Sequence, residues 1–147
     1  MRNVNMHQHA VAYIRGGATS PRLFGEVSFY QKSDSVLVIA RIYNLPENTS
    51  GFYGFHIHSG NGCGGESFFD TGPHYDKHST MHPNHSGDLP PLLSFNSRAY
   101  LAVQTNRFSV NDIIGKTVVI HSGADDFTTQ PAGNAGEKIG CGVIKRT

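Results

Sequence analysis

Apolar and polar residues alternate along several short stretches of this chain, and residues that favour turns lie between them. The clearest alternation covers residues 35–43 (Ser-Val-Leu-Val-Ile-Ala-Arg-Ile-Tyr), and turn-forming residues follow it at 44–48. The same pattern predicts eight strands, at residues 9–15, 23–30, 35–43, 51–58, 92–96, 98–108, 116–121 and 138–145. No stretch shows a capped apolar stripe with the 3.6-residue period of a helix. Short strands separated by regular turns are typical of an all-β sandwich or barrel.

Residues 59–91 break this pattern. They show no apolar period and are rich in His, Gly, Pro and Ser, which predicts a long loop. Loops longer than about 15 residues inside a compact domain are usually functional. We therefore expect the functional site in this loop and on the strands next to it.

Length and charge narrow the classes of protein that fit. The chain has 147 residues, which suits one domain, 1–147, with a core of its own. A net charge of +1 gives no reason to expect nucleic acid or an anionic membrane surface as a partner. No apolar run approaches the roughly 20 residues that span a bilayer, and the first residues lack the apolar segment of a signal peptide. The sequence predicts a cytoplasmic protein, or an extracytoplasmic one if a leader was removed.

Histidines are concentrated in the middle of the chain, with seven of the nine lying between positions 56 and 121. His56 and His58 are two apart on a predicted strand, so their side chains share one face. His74 in the loop and His121 at the end of another strand offer two further donors. Four imidazoles suit copper, nickel or zinc rather than magnesium or calcium. The alternative to a metal site is a set of incidental surface histidines. The clustering of seven histidines between positions 56 and 121 argues against this alternative.

The loop carries a second set of candidate ligands. His74, His82, His85 and Asp88 have the donor types that zinc prefers in four-coordinate sites, and His78 is a spare donor. The loop has few apolar residues to pack, so metal binding could supply much of the free energy that orders it.

Two cysteines, Cys63 and Cys141, are too few for a four-cysteine zinc site. A disulfide between them would contribute about 4.5 kcal/mol by the chain-entropy estimate. Free buried cysteines are the other interpretation, and they fit a cytosolic chain better. Composition alone leaves both open.

Several motifs occur together in one order, and this set resembles the copper-zinc superoxide dismutase family. The resemblance covers roughly residues 8–145 and is close from Gly54 onward. The matching segments are Gly-Phe-His-Ile-His (54–58), Gly-Cys (62–63), Gly-Pro-His-Tyr (72–75), His-Ser-Gly-Asp-Leu (85–89), Ile-Ile-Gly-Lys-Thr-Val-Val-Ile-His (113–121), Ala-Asp-Asp (124–126), Gly-Asn-Ala-Gly (133–136) and Cys-Gly-Val-Ile (141–144).

The resemblance implies a role for each matching residue. It implies one copper ion per subunit on His56, His58, His74 and His121, and one zinc ion on His74, His82, His85 and Asp88. His74 would bridge the metals, and Asp125 would link His56 to His82 and fix both rings. Cys63 and Cys141 would form the family's disulfide, which persists in cytosolic members. The implied fold is an eight-stranded Greek-key β-barrel with long metal-binding loops.

The implied activity is the dismutation of superoxide to oxygen and hydrogen peroxide, with copper alternately reduced and reoxidised and zinc in a structural role. His74 would supply a proton to the product. Two positions depart from the family pattern: Lys138 stands where an arginine beside the copper is usual, and Ala132 replaces a channel threonine. The segments between His82 and His85 and between Asp126 and Gly133 are also short. Lys138 keeps the positive charge that would attract the superoxide anion.

Two other functions fit the same residues. One is a zinc hydratase or hydrolase with three histidines and an open fourth position, which would leave the second ligand set idle. The other is a dismutase-like copper- or zinc-binding protein with little turnover. His7 and His9 could bind copper during loading, although two exposed histidines explain them as well. The family includes monomers and dimers, so a homodimer is compatible with the sequence without being predicted by it.

Overall fold

The computed structural model describes residues 8–147. Their chain forms nine antiparallel strands and one short helix. The elements are β1 (Ala10–Gly16), β2 (Phe24–Gln31), β3 (Val36–Tyr43), β4 (Phe52–Tyr53), β5 (Phe55–His58), β6 (Leu92–Phe95), β7 (Arg98–Thr105), α1 (Val110–Ile113), β8 (Thr117–His121) and β9 (Lys138–Arg146). The strands follow the order β4-β6-β7-β3-β2-β1-β9-β8-β5 in a nearly closed barrel. The predicted all-β barrel with long loops is confirmed.

The barrel core is filled by alternate residues of the long strands, as their sequence pattern predicts. In β3 the buried side chains are Val36, Val38, Ala40 and Ile42, and the residues between them are partly exposed. Such alternation identifies an antiparallel sheet with one face on the core. Phe55, which lies on β5, belongs to the same core cluster.

The barrel closes at Gly54, where the sequence predicted one strand over residues 51–58. The structure divides this stretch into β4, which pairs with β6, and β5, which pairs with β8. Gly54 lies between the two edges of the sheet and bonds to Gly123 and His121 through its backbone. A Cβ atom here would approach Ala135 Cβ to 2.7 Å, so only glycine fits. The division accounts for nine strands where eight were predicted.

The prediction of strand up to residue 108 is wrong. β7 ends at Thr105, and α1 follows at Val110–Ile113. Ser109 and Asp112 form a capping box, in which each side chain accepts a hydrogen bond from the other residue's N–H. A single turn is too short to produce a helical apolar period, which is why the pattern missed it.

A smaller apolar cluster lies outside the barrel and connects the loop to β8 and β9. It contains Phe68, Val119 and Cys141, with Cys63 packed against it. Cys63 and Cys141 are joined by a disulfide, so the pairing implied by the resemblance is confirmed. Arg15 on β1 donates hydrogen bonds to the carbonyls of Cys63 and Gly65 and lies over the Phe68 ring.

The suggestion that His7 and His9 bind copper during loading stays a prediction. His7 lies outside the described residues. His9 Nδ1 accepts a hydrogen bond from the backbone N–H of Gln31 at 3.0 Å, so this nitrogen has a structural partner. Within residues 8–147, no helix is both long enough and apolar enough to cross a membrane.

The disulfide should contribute several kcal/mol to stability. It closes a separation of 78 residues, for which the loss of unfolded-chain entropy is about 4.5 kcal/mol. We expect reduction, or replacement of both cysteines by serine, to lower the free energy of urea unfolding by about 2–5 kcal/mol. Thiol titration of the unfolded, unreduced protein should find no free thiol. Two free thiols would contradict the bond.

Candidate metal centre

The face of β5 that points away from the barrel core carries two of the predicted ligands. Phe55 and Ile57 belong to the core, so the alternation of a strand turns His56 and His58 to the opposite face. β8 pairs antiparallel with β5 and ends at His121, after an irregularity in register at Ile120. All three imidazoles are buried.

The 59–91 loop folds back along the free edge of β5. The Ile57 N–H donates to Gly87 O at 2.9 Å, and the Ile57 carbonyl accepts from Tyr75 N at 2.8 Å. Isolated β-bridges place His74 opposite His58 and Asp88 opposite His56. Backbone pairing therefore brings the loop ligands to the strand ligands, although the loop has no regular strand.

Two overlapping groups of side chains could hold metal ions. In each group the ligand atoms all lie within 4.8 Å of one another. The first group is His56, His58, His74 and His121, and the second is His56, His74, His82 and Asp88. The first matches the predicted copper ligands. The second contains His56 where the prediction has His85.

His85 lies next to the second group. Its Nδ1 is 3.0 Å from Asp88 Oδ2, and its ring centroid is 5.4 Å from that of His74. His78, the predicted spare donor, is exposed and belongs to neither group.

Hydrogen bonds to carbonyl groups fix the tautomers of two histidines in the first group. His58 Nδ1 is 2.7 Å from Gly72 O, and His121 Nδ1 is 3.2 Å from Gly136 O. A carbonyl can only accept, so both Nδ1 atoms carry the proton and both Nε2 atoms present a lone pair. These two Nε2 atoms are 3.3 Å apart in a buried site. Two lone pairs at this distance favour a cation between them.

Asp125 fixes the tautomers of His56 and His82 in the same way. Its two carboxylate oxygens each lie 2.7 Å from a histidine nitrogen, His56 Nε2 and His82 Nε2. Burial acts to raise the pKa of Asp125, but the hydrogen bonds from both histidines and from the Phe127 N–H outweigh it and hold the pKa well below its usual range. The ionised carboxylate therefore accepts both protons, and each Nδ1 is left with a lone pair.

These free nitrogens have no alternative partner. His56 Nδ1, His74 Nε2, His82 Nδ1 and His85 Nδ1 are buried without a hydrogen bond among the described residues. Two of them lie about 3 Å from Asp88 Oδ2 but are not aligned to donate to it. Buried polar atoms are normally satisfied, so orphaned atoms that converge on one region fit metal ligands. The residues present therefore fit two metal ions.

Burial favours the neutral form of three histidines of the first group, namely His56, His58 and His121. Desolvation is the largest cause in each case, and it lowers the pKa of His58 to about 2 and that of His121 to about 3. It also lowers the pKa of His56. Neutral imidazoles are the form that binds a metal.

Lys138 lies close to this group but is held by the loop. Its backbone pairs with His121, and its positive charge contributes to lowering the pKa of His121. Nζ is 2.6 Å from Thr71 Oγ1 and 3.5 Å from Phe68 O. Burial lowers the pKa of Lys138, and the carboxylate of Asp70 opposes that effect. Ala132 is partly exposed on the 126–133 segment.

Sequence reasoning missed two residues that hold the ligand backbone. Gln130 binds the backbone of His82, and Arg107 binds the carbonyls of three loop residues. Neither is a metal-ligand type and neither lies within a spacing pattern, so the sequence carried no signal for them.

The fold is an antiparallel β-barrel, and it carries two overlapping groups of His and Asp side chains that could hold metal ions. The sequence pattern of the copper/zinc superoxide dismutase family matches residues 23–144. The chain belongs to this family, whose name implies copper and zinc as its metals.

Known relatives cover most of the chain. It is similar to a copper-zinc superoxide dismutase of Legionella pneumophila, at 35% identity over 85% of this chain and 80% of the relative. It is also similar to a copper-zinc superoxide dismutase of Aquifex aeolicus, at 32% identity over 86% of this chain and 82% of the relative. A third relative, a copper-zinc superoxide dismutase of Arabidopsis thaliana, is 35% identical over 92% of this chain and 88% of the relative.

The buried histidines predict how the stability of the metal-free protein depends on pH. His58 and His121 are neutral when folded but titrate near 6.5 when unfolded, so their contribution is full above pH 6.5 and is lost as the pH falls. Each contributes up to about 1.4 kcal/mol per pH unit. We expect the free energy of urea unfolding to fall by about 4 kcal/mol from pH 7 to pH 5.

Replacing His121 by Gln is the control, since it removes one titrating group and should roughly halve this change. An unfolding free energy that stays level from pH 7 to pH 5 would contradict the assignment.

Proposed function

We propose that this chain converts superoxide to oxygen and hydrogen peroxide at a site for one copper and one zinc ion. Family membership supports the activity, and the facing Nε2 lone pairs of His58 and His121 are the observation that carries the metal assignment. Copper, when bound, supplies the redox couple that takes an electron from one superoxide and returns it to another. The protein's own residues would bind the metals, donate the proton and attract the substrate.

The copper half consists of His56, His58, His74 and His121. Three of these rings have one nitrogen fixed by a carbonyl or by Asp125, so the other nitrogen points to the metal position. Such outer partners set ring orientation and ligand basicity. The donors are held in advance, and little reorganisation is needed when a metal binds.

The zinc half consists of His74, His82, His85 and Asp88. We assign the fourth position to His85 because His56 already completes the copper half. The His85 Nδ1 atom is orphaned beside Asp88, which supports that assignment. Asp88 Oδ1 lies 2.7 Å from His74 Nδ1, so His74 has one nitrogen on each half.

His74 is the residue that we assign to proton transfer. Nε2 faces the copper half and has no hydrogen-bond partner among the described residues. With Nδ1 held on the zinc side, Nε2 can carry a proton and give it to the departing peroxide. General acids must lie within hydrogen-bond reach of the atom they protonate, so this role requires the peroxide to form beside His74 Nε2.

Lys138 is proposed to attract the substrate. Superoxide is a small anion, and a cation beside the site raises its local concentration and its rate of arrival. The contact with Thr71 holds the ammonium group in place, although lysine lacks the two-pronged hydrogen bonding of arginine.

The hydrolase alternative is not favoured, since one metal would leave half of the converging donors unused. Low turnover is not favoured either, because the donors of both halves are complete. The cytoplasmic location, the single domain over 1–147 and any homodimer stay predictions.

Replacing His121 by Ala tests the division into two halves. It removes one donor of the copper half and none of the zinc half. We expect loss of copper binding and of superoxide turnover, with about one zinc ion per chain retained after reconstitution. Metal analysis by mass spectrometry measures both ions. A parent protein that takes zinc in both halves and refuses excess copper would contradict the assignment.

Replacing Lys138 by Glu tests substrate attraction. We expect the turnover rate per copper to fall by about tenfold or more at low salt, because electrostatic steering changes association rates by about 10- to 1000-fold. Lys138→Arg should raise the rate modestly, and the parent rate should fall as salt shortens the Debye length to about 3 Å at 1 M.

Lys145→Glu is the matched control for that test. Lys145 is exposed on the same strand, seven residues further along, which is about 23 Å in an extended strand. The Lys145→Glu variant changes the net charge by the same amount as Lys138→Glu. Its turnover rate per copper should stay within about twofold of the parent rate. Equal rates for Lys138→Glu and the parent at low salt would rule out the proposed role.

A further inference from the structure

We propose that Gln130 and Arg107 are positioning residues that hold the backbone of the zinc half in its ligand geometry. This inference rests on the proposed function, because the zinc half is defined there. Both side chains come from outside the 59–91 loop and touch none of the donor atoms. They act on the backbone that carries the donors.

Gln130 binds His82 at both backbone polar groups. The His82 N–H donates to Gln130 Oε1 at 2.9 Å, and Gln130 Nε2 donates to His82 O at 2.7 Å. The side-chain amide thus pairs with the ligand residue as a neighbouring strand would. Asp125, five residues earlier, holds the His82 ring at Nε2. Three atoms of one ligand are fixed by the same short segment.

Gly133 makes this approach possible. Its φ of +75° is in the left-handed region, and a Cβ atom there would collide with Asp125 Oδ1 and His82 Nε2. The 126–133 segment can therefore lie directly against the buried His82. This close approach brings Gln130 within reach of the His82 backbone.

Arg107 binds other backbone groups of the zinc half. One terminal nitrogen, Nη1, lies 2.9 Å from Pro83 O and 3.3 Å from the carbonyls of His85 and Asp88. Arg107 lies two residues after the end of β7, so it connects the barrel to three carbonyls of the loop backbone. Two of these carbonyls belong to proposed zinc ligands.

The charge of Arg107 acts against a bound cation, whereas its hydrogen bonds act in favour of the ligand geometry. The guanidinium is exposed, so solvent screens the repulsion. The hydrogen bonds are made to fixed carbonyls and are lost completely when the side chain is shortened or made apolar. We infer that positioning outweighs repulsion here.

The test measures the zinc affinity of the metal-free protein by competition with a chromophoric chelator. Partners outside the ligand shell typically change metal affinity by 10- to 100-fold. We expect Gln130→Met to weaken zinc binding about tenfold or more and Arg107→Met severalfold. Arg107→Lys, which keeps a charged donor, should retain more affinity than Arg107→Met. Copper affinity should change by less than about twofold in each variant.

Two matched controls separate positioning from general damage. Gln104→Met and Arg98→Met make the same chemical changes at exposed sites on β7, and both should bind zinc as the parent does. Amide hydrogen exchange of the metal-free variants should accelerate at residues 82–88 and stay unchanged in β1, β2 and β3.

Unchanged zinc affinity and exchange in both variants would overturn the proposal. So would an Arg107→Met variant that binds zinc more tightly than the parent, or an equal loss of zinc and copper. If the parent itself fails to bind zinc here, the proposed function fails instead. The exchange of residues 82–88 in the metal-free variants then still decides whether Gln130 and Arg107 hold this backbone.

Discussion

Imidazole lone pairs that face one another in a buried site are the feature on which the rest of this structure depends. His58 and His121 each donate an Nδ1–H hydrogen bond to a backbone carbonyl, and their Nε2 atoms lie 3.3 Å apart. Such lone pairs repel in the absence of a cation, and burial prevents protonation from relieving them. The surrounding protein must therefore supply the stability that these groups lack. Backbone pairing on both edges of β5, the Asp125 carboxylate and the disulfide together meet this requirement.

The strands and most of the donor residues could be predicted because their signals are local. Alternation identified β3 and the paired strands, and two-residue spacing put His56 and His58 on one face. The division at Gly54 could not be predicted, since it depends on Ala135 and His121, which approach only in the closed barrel. The backbone contacts of Arg107 and Gln130 are equally long-range. Sequence patterns indicate which residues have the right chemistry, but tertiary structure decides which neighbours hold them.

The side chains of the site come from two kinds of element, namely strands of the barrel and loops. Strands provide His56, His58 and His121, whose positions follow from sheet register. Loop residues provide the other proposed donors, and isolated bridges and single hydrogen bonds hold them in place of a regular strand. Sites built on strands are more precise than sites on loops, so the loop donors need the additional contacts. Asp125 connects the two parts, because its carboxylate binds one histidine from a strand and one from the loop.

The strand order also has a consequence for how the protein assembles. β5 and β8 carry three of the four proposed copper ligands, and in the described sheet β9 pairs between β8 and β1. β9 comes after both of them in the chain, so a growing polypeptide has made every proposed copper donor before it has the strand that pairs with β8. Non-local pairings of this kind form slowly. The histidines are therefore present before the barrel can close, and we expect correct metal loading to follow barrel closure.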